Sequence, residues 1–213
     1  MDNPNKLVFL DCDGVINSSA FYKKSEQYRY EKETIGMDAR PYDLKKLDIL
    51  RYIHDKTNCT FVMSSTWRSF YFCENLMSRV SKGCRDLKKD LAERGIEIRY
   101  KTSNNYDKEE FDRQSKFDWK QDDKGLYYTA GSNEHERPTL TKFYERGYQI
   151  NEFLTDWKKQ YPKTSFVVLD DDEGDLILFK ENFVKTNWYG EDEDECGITY
   201  PLAEKAIQIL NRE

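Results

Sequence analysis

A short apolar run ending in two carboxylates, Leu7-Val8-Phe9-Leu10-Asp11-Cys12-Asp13-Gly14-Val15, constrains this chain more than any other stretch. An apolar run of this length, so placed, reads as a buried strand. A strand that stops on one aspartate, with another two residues later, is a poor way to build a core, because buried charges need partners. Period-two geometry sends Asp11 and Asp13 to one side and Cys12 to the other. Two like charges on one side call for a cation, and an all-oxygen site suits Mg²⁺. Gly14 lets the backbone turn sharply at that point. Taken alone, the motif also reads as an ordinary turn rich in Asp and Gly. It does not fit a calcium-binding EF-hand loop, which needs Glu at its twelfth position, because the twelfth residue from Asp11 is Tyr22.

The remaining composition sets broad limits. With 213 residues, the chain accommodates one domain, or one domain carrying an insertion. Charged residues make up 35% and hydrophobic residues only 38%, yet aromatics reach 15%, enough to supply a core and to argue against wholesale disorder. The formal net charge of −6 argues against coating nucleic acid through bulk positive charge, although a local basic groove stays compatible with it. No stretch approaches the roughly 18 apolar residues of a membrane span. Met1–Lys6 lacks the apolar segment of a signal peptide. The cysteines at 12, 59, 73, 84 and 196 form no CxxC pair, so reduced thiols and a cytoplasmic location are expected. Nothing in the sequence signals a membrane or an obligate protein partner.

Strand and helix signals alternate along the chain. Strands are expected at Lys6–Asp11, Cys59–Ser64, Ile96–Tyr100, Ser165–Asp170 and Phe183–Thr186. Helices are expected at Pro41–Lys56, Phe70–Val80, Cys84–Arg94 with Gly95 as its stop, Gly147–Tyr161 and Pro201–Leu210. This alternation predicts an α/β fold, Rossmann-like, built on a parallel sheet whose ligands gather at the carboxyl ends of the strands. Both Lys6–Asp11 and Ser165–Asp170 end in aspartates, which gives them a shared address. Two stretches fall outside the pattern: the polar, Tyr-rich Asn17–Arg40, and Lys101–Arg137, which is too long for an ordinary loop and reads as a cap-like insertion.

Three further segments join the first motif. Met63-Ser64-Ser65-Thr66-Trp67-Arg68 places small hydroxyls at a strand end, where they can bond phosphate oxygens; a turn capping the next helix is the plainer alternative. Arg68 reads as a phosphate contact or as the partner of an acid. In Thr139–Ile150, Arg146 and then Lys142 are cations near a helix start, where the helix dipole disfavours them unless they face an anion. Val168-Leu169-Asp170-Asp171-Asp172-Glu173-Gly174-Asp175 repeats the logic of acids directly after an apolar strand, with Asp171 and Asp175 in DxxxD spacing.

These four segments, in this order, resemble the haloacid dehalogenase (HAD) superfamily. By that resemblance Asp11 is the nucleophile and Asp13 the general acid/base. Ser65 is the phosphate-binding hydroxyl, with Ser64 as the fallback and Thr66 beside it. Arg146 or Lys142 is the phosphate-side cation. The metal ligands are Asp11, Asp13 and Asp171, supported by Asp170 or Asp175. Arg146 stands where the superfamily usually has Lys. It keeps the charge and offers phosphate a planar fork. The runs Ser64–Arg68, Arg146-Gly147 with Phe153-Leu154, Leu169–Asp172 and Phe183–Thr186, with Gly197-Ile198-Thr199 and Ala206–Leu210, are similar to a HAD subgroup associated with Swiss-army-knife RNA repair proteins. The resemblance covers roughly residues 5–100 and 138–211. It implies a Mg²⁺-dependent phosphatase working through an aspartyl-phosphate, on a phosphorylated small molecule or a nucleic-acid end. An acid at position 13 argues against dehalogenation, in which a halide needs no proton. A phosphatase of small metabolites or phosphoproteins, and a catalytically silent phosphate-binding module, are the competing readings.

Weaker signals read as structure. Arg79, Lys82, Arg85 and Lys89 share a helical face with Asp86 and Asp90 among them, as a solvated face does. Glu191–Glu195 reads as a solvated loop, and His54 and His135 show no triad or metal spacing.

Overall fold

The computed structural model describes residues 2–72, 79–103, 118–122, 125–129, 135–136 and 145–212. Among the described residues eight strands are found: β1 Asn3–Leu10, β2 Cys59–Met63, β3 Tyr100–Lys101, β4 Asp118–Asp122, β5 Gly125–Thr129, β6 His135–Glu136, β7 Ser165–Asp170 and β8 Phe183–Lys185. The described helices are α1 Ser19–Lys24, α2 Glu26–Ile35, α3 Leu44–Thr57, α4 Arg68–Tyr71, α5 Arg79–Ala92, α6 Glu145–Trp157 and α7 Tyr200–Leu210.

The main sheet is five-stranded in the order β3-β2-β1-β7-β8, and its pairings are parallel throughout. This is the α/β, Rossmann-like architecture that the alternation predicts. The chain leaves β1 toward β2 and later returns on its other side as β7, so β1 and β7 flank the topological switch point where α/β sheets bind ligands. Their register aligns Leu10 with Leu169, which sets the following residues, Asp11 and Asp170, side by side.

Alternation along β1 builds both layers. Val8, Leu10 and Cys12 enter a core with Leu47, Leu50 and Ile53 of α3, Leu87 and Leu91 of α5, and Ala206 of α7. Leu7 and Phe9 enter a second core with Ile150 and Leu154 of α6 and with Leu176 and Phe179. Asp11 continues the parity of Leu7 and Phe9, so it leaves the sheet on the side of α6. Cys12 goes the other way, where its thiol meets the Met63 sulfur at 3.6 Å. Burial pushes that thiol well above the usual range, as suits a packing residue.

Some boundaries differ from expectation for local reasons. After α5, Gly95 adopts φ +74°. The Ile96 N–H then bonds Leu91 O at 3.0 Å and the Gly95 N–H bonds Ala92 O at 2.9 Å, a Schellman stop. The expected strand Ile96–Tyr100 shrinks to Tyr100–Lys101, because Ile96 and Ile98 fill the core while only the last residues reach β2. Of the expected helix Phe70–Val80, residues 70–71 lie in α4, which starts at Arg68, and residues 79–80 open α5; residues 73–78 lie outside the described set. Asn17–Arg40 folds as α1 and α2, capped by the Ser18 and Ser25 hydroxyls. Within Lys101–Arg137, the described residues include an antiparallel sheet, β4-β5-β6. No described helix is long and apolar enough to cross a membrane.

Candidate active site

The first aspartate loop is held by the sheet beneath it. The Asp11 N–H bonds Leu169 O at 3.1 Å, and the Val15 and Ile16 N–H groups both return to Cys12 O. Gly14 sits in this turn at φ +76°, and a Cβ there would lie 2.3 Å from Asp171 Cγ. Glycine is therefore required twice, for the turn and for the close approach of the loop after β7.

That approach assembles an acidic cluster. Ligand oxygens of Asp11, Asp170 and Asp171 lie within 4.8 Å of one another. Asp11 and Asp170 are buried, Asp171 partly so. Arg146, from the first turn of α6, completes the group: Nη1 is 3.4 Å from Asp11 Oδ1 and also contacts Asp170 Oδ2. A cation at a helix start does face anions here, as its position in the sequence requires. Burial pushes the Asp11 carboxyl up to about 7; Arg146 works against this, Asp170 and Asp13 reinforce it, and a Ser65 hydrogen bond opposes it. Burial also raises Asp170, against Arg146 and the Asp172 N–H. Asp171 is raised by burial and then by the charge of Asp170. Three oxygen donors this close, all shifted toward the protonated form with one arginine between them, fit a hard cation. Asp13 is not among these three. Asp175 lies in the 3₁₀ segment Gly174–Asn182, with its side chain outside the described set, and Lys142 lies outside it altogether.

The hydroxyl segment after β2 divides its roles. Ser65 is buried and bonds Asp11, while its Oγ also accepts from the Trp67 N–H at 3.3 Å. Ser64 is fully buried and its Oγ has no hydrogen-bond partner, whereas Thr66 is exposed. Arg68 braces the turn: its guanidinium donates to Ser64 O and Ser65 O, each at 2.8 Å, and to Gln149 Oε1 of α6 at 2.8 Å. It thereby ties the serine turn to the helix that carries Arg146.

Asp13 is held separately. One carboxylate oxygen accepts from Trp67 Nε1 at 3.0 Å and the other from Asn17 Nδ2 at 2.9 Å. Asn17 is buried; its Oδ1 accepts the Gly14 N–H at 3.0 Å, and its Nδ2 also reaches Pro41 O and the Tyr22 hydroxyl. Sequence reasoning did not assign Asn17 or Trp67. Trp67 lies beside the hydroxyl motif, which is a local signal. Asn17 sits four residues past Asp13, where a polar residue reads only as loop.

The site therefore has two adjoining parts, an acidic cluster with its arginine and a second carboxylate fixed by two N–H donors. The family described as the HAD domain in Swiss Army Knife RNA repair proteins matches residues 7–190. The chain belongs to that family. No curated protein and no solved structure gives a match. As a HAD domain it is of the phosphatase-type hydrolase class, with an acidic cluster able to hold a metal ion.

Other sequence signals are absorbed by structure, while the side chains of Arg79 and His135 lie outside the described set. Lys82 and Lys89 of α5 pair with Asp86 at 3.1 Å and Glu93 at 3.8 Å, as on a solvated face. His54 stacks on Phe61 and meets Asp2 at 3.3 Å. Glu193–Glu195 forms a 3₁₀ turn whose Glu193 carbonyl accepts from the buried Lys46 at 2.9 Å.

Proposed function

We propose that the protein is a Mg²⁺-dependent phosphatase of a phosphomonoester, with a nucleotide or a nucleic-acid end as its substrate. The observation that carries this reading is the separation of the two carboxylates: Asp11 belongs to the acidic cluster beside Arg146, and Asp13 stands apart, held by Trp67 and Asn17. Two carboxylates in different surroundings suit two roles.

In the first step an Asp11 oxygen attacks phosphorus. The bond from phosphorus to the leaving oxygen breaks, and Asp13 gives that oxygen its proton. In the second step Asp13 takes a proton from water, whose oxygen attacks phosphorus and frees Asp11. Asp11, Asp170 and Asp171 are the residues that would hold Mg²⁺, with Asp13 and Asp175 as further candidates. When bound, the ion supplies positive charge against the phosphoryl oxygens. Arg146 adds a second positive charge from α6, and Ser65, with the backbone N–H groups of its turn, offers hydrogen bonds to the phosphate. Four buried, unpaired cysteines among the described residues support a reducing, cytoplasmic setting.

The test is a hydrolysis screen of the purified chain with Mg²⁺ against nucleotides, 3′- and 5′-phosphorylated oligonucleotides, sugar phosphates and phosphopeptides. Chelator-sensitive phosphate release led by the first two groups is expected. Release led by sugar phosphates or phosphopeptides would favour the competing substrate class, and none from any ester would leave a phosphate-binding module.

Arg146 gives a sharper test of the same reading. Arg146→Lys should keep at least about a tenth of wild-type kcat/KM, because the charge remains. Arg146→Ala should lose about a hundredfold or more, which is roughly 2.7 kcal/mol of transition-state stabilisation. A mild alanine variant would move the phosphate-side cation elsewhere, with Lys142 the next to replace.

A further inference from the structure

A pocket of about 350 Å³ opens beside Asp13, walled by Tyr22, Tyr28, Met37, Pro41 and Trp67. Two of these residues belong to the hydrogen-bond set that fixes Asp13. Trp67 donates to it directly at 3.0 Å, and Tyr22 shares the Asn17 amide that donates to its other oxygen. The pocket thus begins where the carboxylate that would protonate a leaving group is anchored.

Its chemistry is mainly aromatic and apolar, with Asp38 and Lys82 as the charged residues of the lining. Tyr22 and Tyr28 pack edge to face, with ring centroids 5.1 Å apart at 85°. Met37 presents its apolar chain at 64% exposure on the pocket wall. Lys82, the one cation among the lining residues, lies 3.1 Å from Asp86 and is neutralised there, so the lining makes a poor second phosphate subsite. The walls are also fixed. The Tyr22 hydroxyl donates to Pro41 O at 2.9 Å. Arg40 clamps α2 to α5 by bridging Glu31 and Asp90, each at 2.8 Å, and both acids are buried. A preformed, apolar, aromatic recess of this size is at the small end of ligand pockets, large enough for one ring system with its attached sugar. Flat rings stack on such walls, whereas a flexible charged chain gains little from them.

We propose that this pocket holds the leaving-group side of the substrate and that its occupant is a nucleoside, with the base against Tyr28 and Trp67. The substrate is then a nucleoside monophosphate unit, either free or terminal in a strand. This rests on the phosphatase reading for the role of Asp13, but the binding of the ring does not. It also places part of the recognition on the segment 17–41.

The test has a binding arm and a kinetic arm, both on the full chain. Calorimetric titration of the wild type with unphosphorylated adenosine and uridine should give saturable binding at millimolar concentration or below. Tyr28→Ala, which removes a wall, and Ala39→Phe, which adds a ring to the lining, should each weaken it at least tenfold while unfolding as cooperatively as the wild type. No binding to the wild type, or equal binding to all three proteins, would overturn the proposal. In the kinetic arm, with Mg²⁺, the ratio of kcat/KM for adenosine 5′-monophosphate over that for glycerol phosphate should fall at least tenfold in both variants, mainly through KM. An equal fall on both substrates would mean a structural role and would also overturn it. Phosphorylated dinucleotides run beside the mononucleotide decide between a strand end and a free nucleotide, whichever has the higher kcat/KM. If nucleosides bind as expected but no ester is hydrolysed, the phosphatase reading fails and the pocket assignment stands.

Discussion

Asp11→Asn is expected to abolish Mg²⁺-dependent phosphate release, with a loss of about a thousandfold or more, or roughly 4 kcal/mol of barrier. An amide oxygen is a poor nucleophile, and the change removes one charge from the cluster around Arg146. The same substitution should not unfold the chain. Burial already pushes the Asp11 carboxyl up to about 7, so the neutral, isosteric side chain suits its surroundings. The metal-free variant should melt at or above the wild-type temperature near neutral pH. Low activity with intact folding is the informative combination. Retention of more than about a tenth of wild-type turnover would rule out Asp11 as nucleophile.

What could be read from the sequence follows from range. The two aspartate-tipped strands were legible because a run such as Leu7–Leu10 or Val167–Leu169, followed at once by acids, is a local pattern with one comfortable explanation. Their adjacency followed from the α/β alternation, and the parity of β1 accounts for Asp11 facing α6 while Cys12 faces α3 and α5. Arg146 was legible because a cation in the first turn of a helix needs an anion. Arg68 was not. It stands at the start of a turn like any phosphate-binding arginine; its bonds to the Ser64 and Ser65 carbonyls are local, but its bond to Gln149, 81 residues away, depends on where α6 packs. Of the partners of Asp13, Trp67 was hidden by range, being 54 residues away, whereas Asn17 is only four residues on and reads as loop. The segment 17–40 fell outside the strand–helix alternation because α2 carries its charge on nearly every face. Glu31 turns inward because Arg40 meets it there, itself held by Asp90, 50 residues beyond. The aromatic pocket was illegible as well, because its walls come from α1, α2, the turn after it, Trp67 and α5. The sequence marks Lys101–Arg137 as a cap-like insertion.

Removing the divalent ion should change stability in a way that depends on pH, and the direction identifies the site. The folded chain holds a proton on Asp11 up to about pH 7, while the unfolded chain releases it near pH 4. Asp170 and Asp171 are raised in the same direction. Between these limits the native state binds more protons than the unfolded state, so the metal-free protein should lose stability as pH rises from about 4 to about 7. A bound cation offsets the repulsion but needs ionised carboxylates, so its effect should grow over the same interval. At about a hundred times its dissociation constant, Mg²⁺ should add about 2.7 kcal/mol, which for a chain of this length is a rise of roughly 5–10 °C in Tm. Paired melts with Mg²⁺ and with chelator, at pH 5.5 and pH 8, measure this. The shift should be clearly larger at pH 8. Asp171→Ala should remove most of it and, by relieving the crowding with Asp170, raise the metal-free Tm at pH 8. A shift equal at both pH values and untouched by Asp171→Ala would place the ion away from this cluster. No shift at millimolar Mg²⁺ would remove the metal from the mechanism and leave Arg146 as the positive charge beside Asp11.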